Sequence, residues 1–236
     1  MSGRGGVHML PNGTKKWDGI VPQEAEAPSG SVLRWTANNT WEDAREPLHW
    51  DIDVGKACGI GPGLLFAACL LRTGAAHRIG LVPCAVGGTE MDRWLPGADL
   101  YEQMVRRTES ALRAAPGVAA LRALLWYQGE SDADTEERAD ELPGKFASMV
   151  AALRARLGAP QLPVLQVAVT CHNMTVSPLA ERVRVGQLSA RLPALSTVDA
   201  EGLQLAADGL HLTTAAQVEL GTRLANAATV LGASRG

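Results

Sequence analysis

The sequence predicts an α/β domain of three layers, α/β/α, with helices on both faces of a mostly parallel sheet. Two observations carry this. From residue 61 onward, stretches with helical apolar spacing alternate with short strands, the order that builds βα units. The strands, at residues 78–86, 121–127 and 163–169, are almost continuously apolar rather than alternating, as strands covered on both faces are. At 236 residues the chain fits one domain over 1–236, large enough for a core without metals or disulfides.

Residues 8–60 have little periodicity and carry Pro11, Asn12, Gly13, Pro22, Pro28, Gly30, Asn38, Asn39 and Pro47. They predict long surface connections with one short strand at 32–35, and an irregular segment of this length usually covers something or carries function. Its tryptophans, Trp17, Trp35, Trp41 and Trp50, either pin it to the body or stack on sugar rings at a cleft rim, with Trp41 and Trp50 the rim candidates. Pro62 suits the first turn of a helix over 62–71. Leu100, Met104 and Leu112 give one apolar face to a helix over 99–115. Phe146, Met149, Val150, Leu153 and Leu157 predict a helix after Pro143, while Ser131, Asp132, Asp134, Glu136 and Glu137 read as a cap and an acidic first turn. Ser177 and Pro178 start a helix to about residue 191, 195–199 is a short strand, and Thr214 with Gln217 has capping-box spacing for a helix over 215–231.

Composition narrows function. Hydrophobic residues are 46% and charged residues 20%, ordinary for a globular protein. A formal charge of −3 gives no footprint for nucleic acid, and no stretch has the length and apolarity of a membrane span. Small molecules or neutral polymers are the expected partners. Cys58, Cys69, Cys84 and Cys171 lack zinc or redox spacing, so neither metal nor cofactor is expected, and a reducing compartment such as the cytoplasm fits. Gly59 to Gly63 lacks the Lys-Ser/Thr ending of a phosphate loop.

Ligands of such sheets bind beyond the carboxyl ends of the strands, and three suggestive pieces fall there. Val86-Gly87-Gly88-Thr89 and Gln128-Gly129-Glu130 each follow a strand, and Asp208-Gly209-Leu210-His211 follows the short last one. Glycines let backbone N–H groups approach a ligand. With a Gln amide beside them they suit an oxyanion hole, worth about 3–4 kcal/mol per donor. His211, with Asp208 three residues before it, suits a general base held in one tautomer.

The stretches G-R-G-G-V at 3–7, W-E-D-A-R-E-P-L-H-W-D-I-D at 41–53, 59–63, G-L-V-P-C-A-V-G-G-T at 80–89, L-W-Y-Q-G-E-S-D at 125–132 and D-G-L-H-L-T-T-A-A-Q at 208–217 resemble the plant-type carbohydrate esterases of the SGNH-hydrolase superfamily, related to the sialate O-acetylesterase domain (carbohydrate esterase family 6). The resemblance covers essentially the whole chain. It implies a flavodoxin-like fold and hydrolysis of acetyl esters on carbohydrate through an acyl-serine. It makes His211 the base and Gly87 and Gln128 the oxyanion donors, and leaves either Asp208 or Glu130 as the acidic partner.

In that family G-R-G-G follows a strand ending in G-Q-S-N-M, whose serine is the nucleophile. Met1 aligns with that methionine, so the nucleophile and its strand are expected just upstream of Met1; Ser2 lies three positions past it and is not expected to substitute. Such a strand is interior to the sheet, with about four buried side chains at about 1.5–3 kcal/mol each and ladder bonds at roughly 1 kcal/mol each. The alternative is a catalytically inactive carbohydrate-binding or regulatory protein derived from an esterase. A lipase or thioesterase is disfavoured, because no long apolar lid or acyl groove is evident.

Overall fold

In a computed structural model, which describes residues 2–115, 117–170 and 178–233, the chain has the expected α/β architecture with two separate three-stranded sheets. In one, β3 (Val32–Trp35) pairs antiparallel with β4 (Trp41–Asp43) and parallel with β5 (Ile79–Leu81). In the other, β6 (Leu124–Trp126), β7 (Val164–Ala168) and β8 (Leu195–Asp199) are all parallel, with Trp126 opposite Gln166 and Ala168 opposite Asp199. A hairpin of β1 (Val7–Met9) and β2 (Lys15–Trp17) stands apart from both. Neither this hairpin nor β4 was expected in a segment so rich in turn residues.

Helices α1 (Pro62–Arg72) and α5 (Thr214–Ala233) pack on each other, α1 against β3 and β5 and α5 against β7 and β8. On the other side α3 (Glu136–Arg156) packs against α4 (Ala180–Ser189), which covers β7 and β8. Helix α2 (Asp99–Arg113) packs on a short 3₁₀ turn, Met91–Trp94, that also touches α3. Leu65, Phe146, Met149, Leu165, Leu220 and Leu224 fill the core between these layers.

Several boundaries differ from expectation for physical reasons. The strand expected at 78–86 pairs only over Ile79–Leu81, and Pro83, without an N–H, cannot continue a ladder. Helix α3 begins at Glu136, capped by Thr135, whose hydroxyl accepts from Arg138 N. It runs through Pro143 rather than starting after it, and the acidic first turn is Glu136 and Glu137. At α5 the cap is Thr213, whose Oγ1 accepts from Ala216 N at 3.3 Å. The expected box between Thr214 and Gln217 does not form, because Gln217 is turned fully into the core. Ser177 lies outside the described residues, as does Cys171.

The crossing of α1 and α5 is close because Gly221 faces Leu65. A Cβ there would come 2.6 Å from Leu65 Cβ and 3.1 Å from Phe66 N. Gly221→Ala is therefore expected to destabilise by about 1–3 kcal/mol through overpacking, despite a helix-propensity gain of roughly 1 kcal/mol. Urea unfolding decides it, since net stabilisation would mean that the helices separate freely.

Glu46 is buried, with Oε2 accepting from Leu48 N at 2.8 Å. Burial raises its carboxyl to about 7, against backbone bonds from Leu48 and Gly61. Because the folded value lies above the unfolded one, stability falls as pH rises from about 4.5 to 7, and the loss is complete above that window. Glu46→Gln should stabilise by about 3 kcal/mol at pH 8 and have little effect at pH 4. Equal effects at both pH values in denaturant melts would show that the carboxyl titrates normally.

Candidate active site

Beyond β8 the chain turns back on itself before α5. Ala206 N donates to His211 O at 2.7 Å, Gly209 N to Ala206 O at 2.9 Å and Thr213 N to Gln204 O at 3.0 Å, and Leu205 bridges Leu212. Inside this loop, Asp208 Oδ1 accepts from Leu210 N and His211 N, both at 3.0 Å. Its Oδ2 lies 2.6 Å from His211 Nδ1. Burial alone would raise the Asp208 carboxyl, but the bonds from His211 and the loop amides hold it below its usual value. Opposite a carboxylate Nδ1 must carry the hydrogen, which leaves Nε2 as the basic nitrogen.

His211 lines a cavity of about 900 Å³ that runs between β5 and β6. Its walls are mostly apolar and come from every layer: Leu81 of β5, Leu124 of β6, Met104 of α2, Leu153 of α3 and Leu224 of α5. Among the described residues, β5 and β6 each pair on one side only, with β3 and β7 respectively. The polar lining includes Ser2, Arg4, His49, Lys56, Gly87, Gly88, Gln128, Glu130 and His211. Five sequence-predicted candidates, Gly87, Gln128, Glu130, His211 and, through its bond to His211, Asp208, thus gather at one cavity.

Gln128 does different work from that expected. Its Nε2 donates to Thr89 O at 3.1 Å and to Asp132, so both amide hydrogens are committed. Both neighbours are acceptors, which fixes the orientation of the amide. Gln128 is thus a brace between the strand-end loops and presents no amide hydrogen to the cavity. Asp132, read with Ser131, Asp134, Glu136 and Glu137 as the cap and acidic first turn of a helix, is instead buried and also accepts from Met91 N at 3.0 Å. Burial raises its carboxyl, against the bonds from Met91 and Gln128. Glu130 opens a short 3₁₀ turn at the cavity, while the carboxylate on His211 Nδ1 is that of Asp208.

Trp41 and Trp50 do not line the cavity. Trp41 packs on Trp35 with ring centroids 5.1 Å apart, covers Gly80 and donates Nε1–H to Ala111 O at 3.2 Å. Its position is that of a core staple. Trp50 is exposed between Arg34 and Arg45, whose guanidinium carbons lie 5.4 and 6.0 Å from its ring.

Asp53, Arg4 and Gln187, not anticipated as functional, tie these segments together. Asp53 Oδ2 accepts from Ser2 Oγ at 2.5 Å, Arg4 Nη2 at 2.6 Å and Gly87 N at 3.2 Å. The Ser2 hydroxyl is thus given to a carboxylate. Gln187 of α4 binds Gln128 O at 2.8 Å through Nε2 and accepts from Val169 N at 2.8 Å through Oε1. Asp53 ends the matched stretch 41–53, so its position was visible in sequence; Gln187 lay in an ordinary helix pattern and carried no signal.

Comparison with known proteins gives the class. The chain belongs to the carbohydrate esterases: the family model described as carbohydrate esterase, sialic acid-specific acetylesterase, matches residues 1–230. Among individual proteins, it is 45% identical over 231 residues to one named a probable carbohydrate esterase from Arabidopsis thaliana, covering 96% of this chain and 85% of that one. The crystal structure of an Arabidopsis thaliana protein superposes with a TM-score of 0.89 at 44% identity, over 98% of this chain and 93% of that one. A carbohydrate acetylesterase from Xanthomonas citri matches with a TM-score of 0.64 at 22% identity, over 86% of this chain and 49% of that one; at that identity the likeness concerns the fold alone.

The Asp208 contact predicts the tautomer of His211. Nitrogen-15 NMR of the imidazole should show hydrogen on Nδ1 in the neutral form, and Asp208→Ala should shift the population toward the Nε2–H form. An unchanged pattern in the variant would mean that the carboxylate does not orient the ring.

Proposed function

We propose that the chain is the body of a serine esterase that removes acetyl groups from carbohydrate. Its nucleophile would ride on a parallel strand seated between β5 and β6 and leading into Ser2. The observation that carries this reading is the His211–Asp208 pair, its Nδ1 already bound, on the same cavity as the Gly87 loop and as β5 and β6, strands that each pair on one side only among the described residues. The apolar walls suit an extended segment of alternating buried side chains, and the polar residues lie where such a strand would end.

In the reaction, His211 Nε2 takes the proton of the serine hydroxyl as its oxygen attacks the acetyl carbonyl. Asp208 stabilises the imidazolium that forms. The Gly87 loop supplies amide hydrogen to the oxyanion. His211 then returns the proton to the sugar oxygen as it leaves, and an acetyl-serine remains. A water molecule, deprotonated by His211, attacks that ester; the bond to the serine oxygen breaks, His211 returns the proton to that oxygen, and acetate leaves. Asp208 is the better acidic partner than Glu130, because it already holds Nδ1 at 2.6 Å. Family membership points to acetylated carbohydrate as substrate.

The chain extended upstream by an apolar strand ending in Gly-Gln-Ser-Asn should hydrolyse a chromogenic acetate ester. In that protein His211→Ala, or alanine in place of the introduced serine, should lower turnover by about 10⁴–10⁶. An extended protein that folds yet hydrolyses nothing would sink the esterase reading.

A further inference from the structure

The N–H and C=O of Gly87 are both held by one turn. Asp53 and Lys56 stand three residues apart in it, and the turn is closed by Asp53 N to His49 O at 3.0 Å and Lys56 N to Asp53 O at 3.2 Å. Asp53 Oδ2 accepts Gly87 N–H at 3.2 Å, and Lys56 Nζ donates to Gly87 O at 2.6 Å. Side chains would spoil this arrangement. A Cβ on Gly87 would come 2.5 Å from Arg4 Nη2, and one on Gly88, whose φ is +66°, would come 2.5 Å from Lys56 Nζ.

The three bonds to Asp53 Oδ2 are unequal. Those from Ser2 and Arg4 are short, at 2.5 and 2.6 Å, and the one from Gly87 is longer, at 3.2 Å. The buried Arg4 guanidinium balances the buried carboxylate, so the amide faces a nearly neutral ion pair. An amide so held is aligned yet easily surrendered to a stronger acceptor, and an oxyanion binds at about 2.7–3.1 Å. On the other side, Lys56 polarises the peptide between Gly87 and Gly88, which strengthens the exposed Gly88 N–H as a donor.

We propose that Asp53 is a positioning residue for acyl transfer: with Lys56 it keeps the Gly87 peptide aligned as a stand-in for the oxyanion, and yields the Gly87 N–H to the charge that develops on substrate. The alignment stands on the geometry alone; the transfer to substrate rests on the esterase reading.

Two measurements test it. In the chain itself, Asp53→Asn should speed amide hydrogen exchange across residues 82–90 by at least about tenfold, as expected when a buried acceptor is weakened. Exchange in α1 and α5 should stay as it was. In the strand-extended protein, Asp53→Asn should lower kcat by about 10²-fold with KM within about twofold, and Asp53→Glu should restore part of it. Lys56→Gln, at an exposed side chain that leaves the core alone, should lower kcat in the same direction by less. Unchanged exchange at 82–90, or faster exchange everywhere, would overturn the proposal, as would equal losses in kcat and affinity. If the extended parent hydrolyses nothing, the esterase reading fails, and the exchange measurement alone decides whether Asp53 aligns the loop.

Discussion

Among the described residues no ladder joins the two sheets, and the packing of α1 against α5 holds them together. Helix α1 belongs to the sheet of β3 and β5, and α5 to that of β7 and β8; they meet where Gly221 admits Leu65. On the other side the connection runs through the 3₁₀ turn at Met91–Trp94, which touches both α2 and α3 and is tied to Asp132 through Met91 N. Both joints depend on apolar area removed from water, worth roughly 25 cal/mol per Å², so they hold the sheets side by side without fixing atoms between them.

Polar groups supply that local precision. Where ladders end, arginines collect the carbonyls. Arg107 of α2 donates to Pro83 O, Thr36 O and Trp35 O, and Arg154 of α3 to Leu162 O and Pro193 O. A guanidinium carries five N–H donors in a rigid fork, which suits two converging strand ends better than a lysine would. The same logic recurs beside the cavity, where Asp53 gathers Ser2, Arg4 and Gly87, and Asp132 gathers Met91 and Gln128. Buried charge is costly unless fully partnered; here each charge binds groups from separate segments and so sets their spacing.

Much of this was legible in sequence. Continuous apolar strands and helical spacing gave the α/β order, and Pro62 marked the start of α1. The pairing of Asp208 with His211 followed from their three-residue spacing and the turn between them. What stayed hidden is what tertiary context decides. Gln128 looked like a donor to ligand because it follows a strand, yet its amide is spent on Thr89 and Asp132. Trp41 looked available because it lies in a loop-rich segment, yet an edge strand folds it onto Trp35. Thr213 and Thr214 both suit a helix cap, and burial of Gln217 chose between them. Pro143 read as a helix start, while Thr135 and the two glutamates after it supply a stronger one further back.

The loop bearing the imidazole has a further consequence. Its backbone is closed from Gln204 to Thr213 by its own hydrogen bonds, and the Asp208 carboxylate binds two of its amides as well as the ring. Little is left for the histidine to vary except rotation about its own side-chain bonds, and the Nδ1 contact restrains even that. The direction in which its Nε2 points is therefore set by the fold, and little ordering entropy would have to be given up in bringing a ligand against it.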